Sequence, residues 1–208
     1  MPGTNDDLHG SAPDEADVAL VLIDVINDLD FPEGEQLARF ARPMADRLAE
    51  LKVQAKRAGI PAIYVNDNFG RWQSNFQAQV DHCLAEGSRG KFLAERLRPE
   101  PDDYFVLKPK HSGFFSTTLD TLLRYLKVET LILTGVASNI CVLFTANDAY
   151  MRDFKLFVPA DTVAANTEAE NRHALEQMRL ILKADTRPVA ELDLASLRRD
   201  RAGRGSAR

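Results

Sequence analysis

The sequence predicts an α/β fold: a three-layer α/β/α sandwich around a six-stranded parallel sheet, Rossmann-like, with strand order 3-2-1-4-5-6. Short runs rich in Val, Ile and Leu alternate with longer stretches of helical periodicity. These short runs are apolar at consecutive positions, which is typical of strands buried on both faces. Regular alternation of strand and helix favours parallel strands joined by covering helices.

The strands are predicted from the apolar runs in order along the chain. They are residues 18–23, 60–65, 104–107, 130–134 and 155–158, with a weaker sixth strand near 186–189.

The helices are predicted from apolar residues three and four positions apart. Residues 37–58 carry such a stripe, and Gly59 is expected to end that helix. Residues 118–126, 139–152 and 167–183 show the same spacing, and 91–97 show it more weakly. Thr167 and Glu170 have the separation of a capping box.

The length of 208 residues suits one compact domain. We predict a disordered N-terminal lead-in at 1–17, because this stretch is polar and acidic, and a single α/β domain at 18–192. Residues 193–208 are basic and contain glycine, which predicts a flexible tail.

Composition narrows the possible partners. The net charge of −5 gives no indication of nucleic-acid binding, and modest acidity mainly favours solubility. No apolar run approaches the roughly 20 residues that span a bilayer, and the first residues do not resemble a secretory signal. Two cysteines do not form a disulfide framework, which predicts the reducing cytoplasm as the compartment.

Three reactive side chains follow three predicted strands. Asp24 ends the first strand, Lys108 the third, and Cys141 follows the fourth. Because parallel α/β sheets bind ligands at the carboxyl ends of their strands, these groups are expected to converge. Each has a structural alternative: a capping carboxylate, a surface lysine, a small buried thiol. Lys110, two residues on, competes with Lys108.

Cys141 has the most distinctive setting. Gly135 ends the strand, and Ser138 or Asn139 can cap a helix whose first turn contains Cys141. The partial positive charge of a helix N-terminus favours a thiolate there. Cys83 has no comparable setting.

Other chemistries fit less well. The four histidines, His9, His82, His111 and His173, show no metal-ligand or triad spacing, and His111 is expected not to face its neighbour Ser112. A haloacid-type phosphatase needs a second Asp where Ile26 stands, and a dinucleotide binder needs a glycine-rich first turn.

Taken together, three motifs resemble the isochorismatase-like superfamily of cysteine hydrolases over residues 18–183. They are VLIDVINDL, VLKPKHSGFFSTTLDTLL and LILTGVASNICVLFTANDAYMRDFKLFVPADTV. The resemblance implies a catalytic triad of Asp24, Lys108 and Cys141, with Lys108 preferred to Lys110. It also implies a cis-peptide between Val136 and Ala137, and an oxyanion hole formed by the backbone N–H groups of Ala137 and Cys141.

The sequence departs from the family pattern at two places. Ile26 stands where many members have Gln, and Phe69 and Gln73 stand where nicotinamidase-type members have metal-binding histidines beside a residue like Asp67. Without these imidazoles we predict no metal and no cofactor. The predicted substrate pocket comprises Ile26, Asn68, Phe69, Trp72 and Phe76. Alternatively, the aromatic residues pack a lid within 66–97 or a subunit interface.

The resemblance implies a cysteine-dependent hydrolase that cleaves the C–N bond of a small amide, carbamoyl or ureido substrate through a thioester. The alternatives are a non-catalytic binding or scaffold protein on the same fold and a vinyl-ether hydrolase of the isochorismate type, although the latter reaction needs no thiol. A homodimer or homotetramer is expected, as in many family members.

Overall fold

The computed structural model describes residues 16–70 and 75–199. The strands in these ranges are β1 (Val18–Ile23), β2 (Ala62–Asp67), β3 (Tyr104–Lys108), β4 (Thr130–Val136), β5 (Lys155–Phe157) and β6 (Val163–Ala164). The helices are α1 (Gly34–Arg57), α2 (Phe76–Leu84), α3 (Lys91–Arg96), α4 (Leu119–Tyr125), α5 (Leu143–Tyr150), α6 (Glu168–Leu180) and α7 (Leu194–Arg199). A π-helical turn (Ser138–Val142) precedes α5, and a 3₁₀ turn (Val189–Glu191) precedes α7.

The strands form one parallel sheet in the order β3-β2-β1-β4-β5, with β6 paired to β4. This sheet and its covering helices confirm the predicted fold class. The chain moves outward from β1 to β3 and then returns to place β4 on the other side of β1. The strand order therefore reverses between β1 and β4, and ligands of such sheets bind at that reversal.

The sheet is covered on both faces because alternate side chains of β1 enter different cores. Val18, Leu20 and Leu22 pack in one core with α1, α2 and α3. Ala19, Val21 and Ile23 pack in the other with α4, α5 and α6. This alternation explains why the strand is apolar at every position and fully buried.

Helix α1 follows the predicted apolar stripe and ends where Gly59 was expected to end it. Gly59 adopts a φ of 67°, which a glycine reaches without steric cost. Its N–H donates to Lys56 O, and the N–H of Ile60 donates to Ala55 O. These two bonds are the Schellman pattern, which satisfies the last carbonyls of the helix and returns the chain to β2.

The sixth strand differs from its prediction at 186–189. Asp185 makes a single parallel bridge to Phe157 at the outer edge of β5, and pairing stops there. Pro188 has no N–H to donate, and the 3₁₀ turn begins directly after it. The sixth strand is instead β6, whose two residues are too few to produce a periodic signal.

Ordered structure extends beyond both predicted ends of the domain. Within the predicted lead-in, the Ala16 N–H donates to Leu126 O, and Asp17 O accepts from Glu129 and Thr130. The stretch predicted as a flexible tail begins with α7, capped by the Asp193 carboxylate and anchored by the buried Leu194. These contacts correct the predicted boundaries at 17 and 193; residues 1–15 and 200–208 lie outside the described ranges.

Candidate active site

Asp24 follows the last residue of β1 and is held by β2. Its N–H donates to Val65 O, and its φ is 51°, a left-handed conformation that aspartate adopts more readily than most residues. The carboxylate is buried, and its Oδ1 accepts a hydrogen bond of 2.7 Å from the Asp67 N–H. The backbone at the end of β2 therefore orients the carboxylate that follows β1.

Lys108 is the last residue of β3, and its side chain is completely buried. Its Nζ lies 2.8 Å from Asp24 Oδ2, 3.5 Å from Cys141 Sγ and 3.9 Å from Asp67 Oδ2. Lys110, the competing lysine, is exposed. Lys108 is thus the ammonium that joins the carboxylate to the sulfur.

The chain reaches Cys141 through a close approach of β4 to β1. Gly135 has a φ of 103°, and a Cβ at this position would lie 2.0 Å from Ile23 O, so only glycine fits. The peptide bond from Val136 to Ala137 is cis. Cys141 then lies in the π-helical turn, half-buried beside the buried pair.

The local structure at Cys141 differs from the capped α-helix that was expected. The turn is π-helical and has no side-chain cap, and its buried Ser138 Oγ has no hydrogen-bond partner among the described residues. The N–H groups of Ile140 and Val142 both donate to Ala137 O. Of the two expected oxyanion-hole residues, Ala137 directly precedes the turn and Cys141 lies within it.

The surroundings of the Cys141 sulfur favour the protonated thiol over the thiolate. Burial and the adjacent Asp24 charge raise the pKa of the Cys141 thiol far above its ordinary value, and Lys108 offsets this only in part. The expected helix N-terminus would favour the thiolate, whereas burial and the Asp24 charge act in the opposite direction.

The neighbouring acid and amine both have raised pKa values. Burial raises the pKa of Asp24, against the opposing effects of the Lys108 charge and of hydrogen bonds that include one to Cys141. For Lys108, burial lowers the pKa, but the charges of Asp24 and Cys141 raise it on balance. A carboxylate with a raised pKa accepts a proton more readily, which suits it to take the thiol proton.

The predicted pocket residues are not all brought together. Ile26 is buried, and its carbonyl accepts a hydrogen bond from Asn66 Nδ2. Asn68 lies next to β3, because its N–H donates to Lys108 O. Phe69 follows with a φ of 51°. Trp72 lies outside the described residues.

Phe76 is a correction to the predicted pocket. It is buried, and its ring stacks on the exposed Phe105 at a centroid distance of 5.0 Å and contacts Tyr64 at 5.9 Å. Phe105 precedes Lys108 by three residues on β3, so the backbone at this stack lies roughly 10 Å along the strand from that of Lys108. The alternative in which the aromatic residues serve packing therefore holds for Phe76.

His111 is the neighbour of the sulfur that the sequence did not single out. Its Nδ1 lies 3.9 Å from Cys141 Sγ, and its exposed ring contacts Phe144 at a centroid distance of 5.4 Å. Ser112 points elsewhere, since its buried hydroxyl donates to Asp148. The available signal was a histidine three residues after Lys108, but the sequence alone gives no indication that this side chain lies near Cys141.

Asp67 does not fit the metal-ligand role of the similar aspartate in nicotinamidase-type proteins. Its Oδ1 accepts from the Phe69 N–H, and its Oδ2 faces the Lys108 ammonium, which would repel a cation. No cluster of three His, Cys, Asp or Glu side chains arranged for a metal occurs in residues 16–70 and 75–199. Nor does this part of the chain contain a helix long and apolar enough to cross a membrane.

A parallel α/β sheet with acid, amine and thiol brought together at its strand ends defines the class of protein, and comparison with known proteins identifies the family. A model described as "Isochorismatase domain" matches residues 18–188. The chain therefore belongs to the isochorismatase family, whose members include hydrolases of amides.

Two relatives and one solved structure illustrate this similarity. The isochorismatase family protein YaaI of Bacillus subtilis is 42% identical over 82% of this chain and 93% of its own length. The ureidoacrylate amidohydrolase RutB of Methylobacterium radiotolerans is 32% identical over 79% of this chain and 74% of its own. The crystal structure of N-carbamoylsarcosine amidase from Thermoplasma acidophilum matches with a TM-score of 0.62 and 27% identity, covering 86% of this chain and 99% of that one.

Proposed function

We propose that the chain hydrolyses the C–N bond of a small amide, carbamoyl or ureido compound through a thioester on Cys141. The observation that carries this proposal is the position of the buried Lys108 Nζ, 2.8 Å from the Asp24 carboxylate and 3.5 Å from Cys141 Sγ. A nucleophile, a base and a charge that orients both are the groups needed for covalent acyl transfer.

The first half of the reaction forms the thioester. Asp24 takes the proton of the Cys141 thiol as the sulfur attacks the substrate carbonyl carbon, and Lys108 stabilises the negative charge on the sulfur. The tetrahedral intermediate collapses when its C–N bond breaks. Asp24 returns the proton to the leaving nitrogen, so ammonia or an amine departs and an acyl group remains on Cys141 Sγ.

The charge on the substrate oxygen needs donors of its own. We assign these to the backbone N–H groups of Ala137 and Cys141, which lie at the start of the π-helical turn and within it. Each donor that is pre-oriented in this way contributes about 3–4 kcal/mol to transition-state stabilisation. The glycine at 135 supports this assignment, because it allows β4, the strand that leads into the turn, to lie against the end of β1.

The site and the relatives support one class of substrate over others. Ureidoacrylate amidohydrolase and N-carbamoylsarcosine amidase are both named for substrates that carry a carbamoyl nitrogen. Nicotinamide fits less well, because Asp67 faces an ammonium and has Phe69 beside it in place of an imidazole. Ureido and carbamoyl acids are therefore preferred.

The test is a panel of ureidoacrylate, N-carbamoylsarcosine and nicotinamide, read by ammonia release. Cys141→Ala is the blank, and we expect it to lose turnover of any member of the panel that the wild-type chain hydrolyses. Cys83→Ala is the matched control, because Cys83 is a fully buried core thiol whose pKa is raised by burial to about 12.

Two results would overturn the proposal. One is equal ammonia release by the wild-type chain and Cys141→Ala. The other is a Cys141→Ser variant with undiminished turnover, since a serine hydroxyl is a much weaker nucleophile than a thiol in a site without a stronger base.

A further inference from the structure

The thioester must be cleaved by water, and that water must reach Cys141 Sγ from a side that is open to solvent. Asp24 Oδ1 already accepts from the Asp67 N–H, and Oδ2 from Lys108. Lys108 is completely enclosed, and the Asp24 side chain is 7% exposed. Water therefore has little access to Cys141 Sγ from the side of these two residues.

His111 is on the accessible side of the sulfur. It is an exposed residue, and its Nδ1 lies 3.9 Å from Cys141 Sγ. A neutral imidazole has one nitrogen that accepts a proton, and histidine is the side chain that most often serves as a general base. Among the described neighbours of the sulfur, His111 is therefore the group that both reaches it and meets solvent.

A hydrogen-bonded bridge fixes the segment of His111 against the turn of Cys141. The Thr145 hydroxyl donates to Cys141 O at 2.7 Å and accepts from the Gly113 N–H at 3.0 Å. Ser112, between His111 and Gly113, is bonded to Asp148 on the same helix, α5. The segment that carries His111 is thus held beside the turn of Cys141 by several contacts that do not involve the imidazole itself.

We propose that His111 is a catalytic residue of thioester hydrolysis, and this inference rests on the function proposed above. Nδ1 of the neutral imidazole takes a proton from the attacking water as the new C–O bond forms. The C–S bond then breaks, and the imidazolium gives that proton to the departing Cys141 sulfur. One water is consumed, a carboxylic or carbamic acid is released, and thiol and neutral imidazole are restored.

The test uses p-nitrophenyl acetate, which can acylate a nucleophilic cysteine without a specific binding pocket. Release of p-nitrophenolate reports acetylation of the enzyme, and intact-protein mass spectrometry reports the acetyl group that remains. We compare the wild-type chain with His111→Ala. The matched control is His82→Ala, another exposed histidine, which is bonded to Asp28.

For His111→Ala we expect kcat to fall by about 100-fold or more, the usual contribution of a positioned base. KM should fall in parallel, because acetylation still proceeds, so kcat/KM stays near the wild-type value. The acetylated enzyme should accumulate, and free imidazole should restore part of kcat. His82→Ala should behave as the wild-type chain.

Three results would overturn the role of His111. They are an unchanged kcat, a fall in kcat/KM without accumulation of acetylated enzyme, and accumulation that free imidazole does not relieve. Failure of the underlying proposal looks different, because Cys141→Ala would then release p-nitrophenolate as fast as the wild-type chain, or the wild-type chain would gain no acetyl group.

Discussion

Two of the lysine–aspartate pairs in the described part of the chain are buried, and they lie in different surroundings. Lys108 lies 2.8 Å from Asp24 at the carboxyl end of the sheet. Lys52, on α1, lies 2.6 Å from Asp103, just before β3, and both of these side chains are less than 10% exposed. By distance and burial alone the two pairs are nearly equivalent.

The difference lies in what else each pair contacts. Lys52 also donates to Arg98 O, and Asp103 accepts from the Glu100 N–H, so this pair joins α1 to the loop before β3. Lys108 instead places its ammonium beside a thiol. A buried ion pair costs several kcal/mol in desolvation wherever it lies, so burial alone does not indicate catalysis. The feature that indicates catalysis at the Lys108 pair is the reactive third group, the Cys141 thiol.

Replacement of each lysine by methionine should give the largest contrast. Lys108→Met should lower kcat/KM for the best panel substrate by about 10⁴-fold, because members of a triad fail as a unit. Lys52→Met should keep its activity when assayed under conditions where circular dichroism shows it folded. A comparable loss of activity in folded Lys52→Met would remove the distinction between the pairs.

Replacement of each aspartate by asparagine tests the base. Asp24→Asn should lower kcat/KM by about 10²–10⁴-fold, since an amide does not accept the thiol proton. Asp103→Asn is the control and should retain wild-type kinetics. If both variants were equally active, the base would have to be another group.

The Lys52 pair should matter for the stability of the protein, although it is not expected to matter for activity. Lys52→Met leaves the Asp103 carboxylate buried without its ammonium, which costs about 3–5 kcal/mol in the free energy of unfolding. Urea denaturation measures this loss. The double variant Lys52→Met/Asp103→Leu should recover most of it, and a failure to recover would mean that packing by the lysine stem is what matters.

The dependence of activity on pH gives the smallest effect. Asp24 must be ionised to accept a proton, and burial raises its pKa above the ordinary 3.8. The pH below which kcat/KM declines should therefore be higher than 3.8. Below the pKa of Asp24, kcat/KM should fall about tenfold for each pH unit. Because the pKa of Lys108 is raised above 10.5, its ammonium should give no alkaline limb below that pH.

The same acid limb should remain in Asp103→Asn. A limb that moves in Asp103→Asn, or one that lies at or below pH 3.8 in the wild-type chain, would contradict the assignment to Asp24.

The sheet could be predicted from the sequence because its strands are apolar on both faces. Once the strands are known, the rule that parallel sheets act at their carboxyl ends leads to Asp24, Lys108 and Cys141, and these three side chains do meet. Lys52 and Asp103 could not have been paired in this way, because they lie at no strand end that the rule singles out.

The features that were missed depend on contacts between distant segments. His111 approaches the sulfur because Thr145 and Asp148 hold its loop, and neither bond leaves a local pattern in the sequence. Phe76 was assigned to the pocket from its aromatic character, whereas its stack on Phe105 depends on where α2 packs. The π-helical turn has no distinguishing composition.

The close approach at Gly135 makes this residue a criterion for judging related chains. Any side chain there would collide with the backbone of β1 at Ile23, the residue before Asp24. The strand that leads to Cys141 would then be displaced from the strand that leads to Asp24. A relative that keeps acid, amine and thiol but carries a larger residue at this position should be suspected of having lost the reaction.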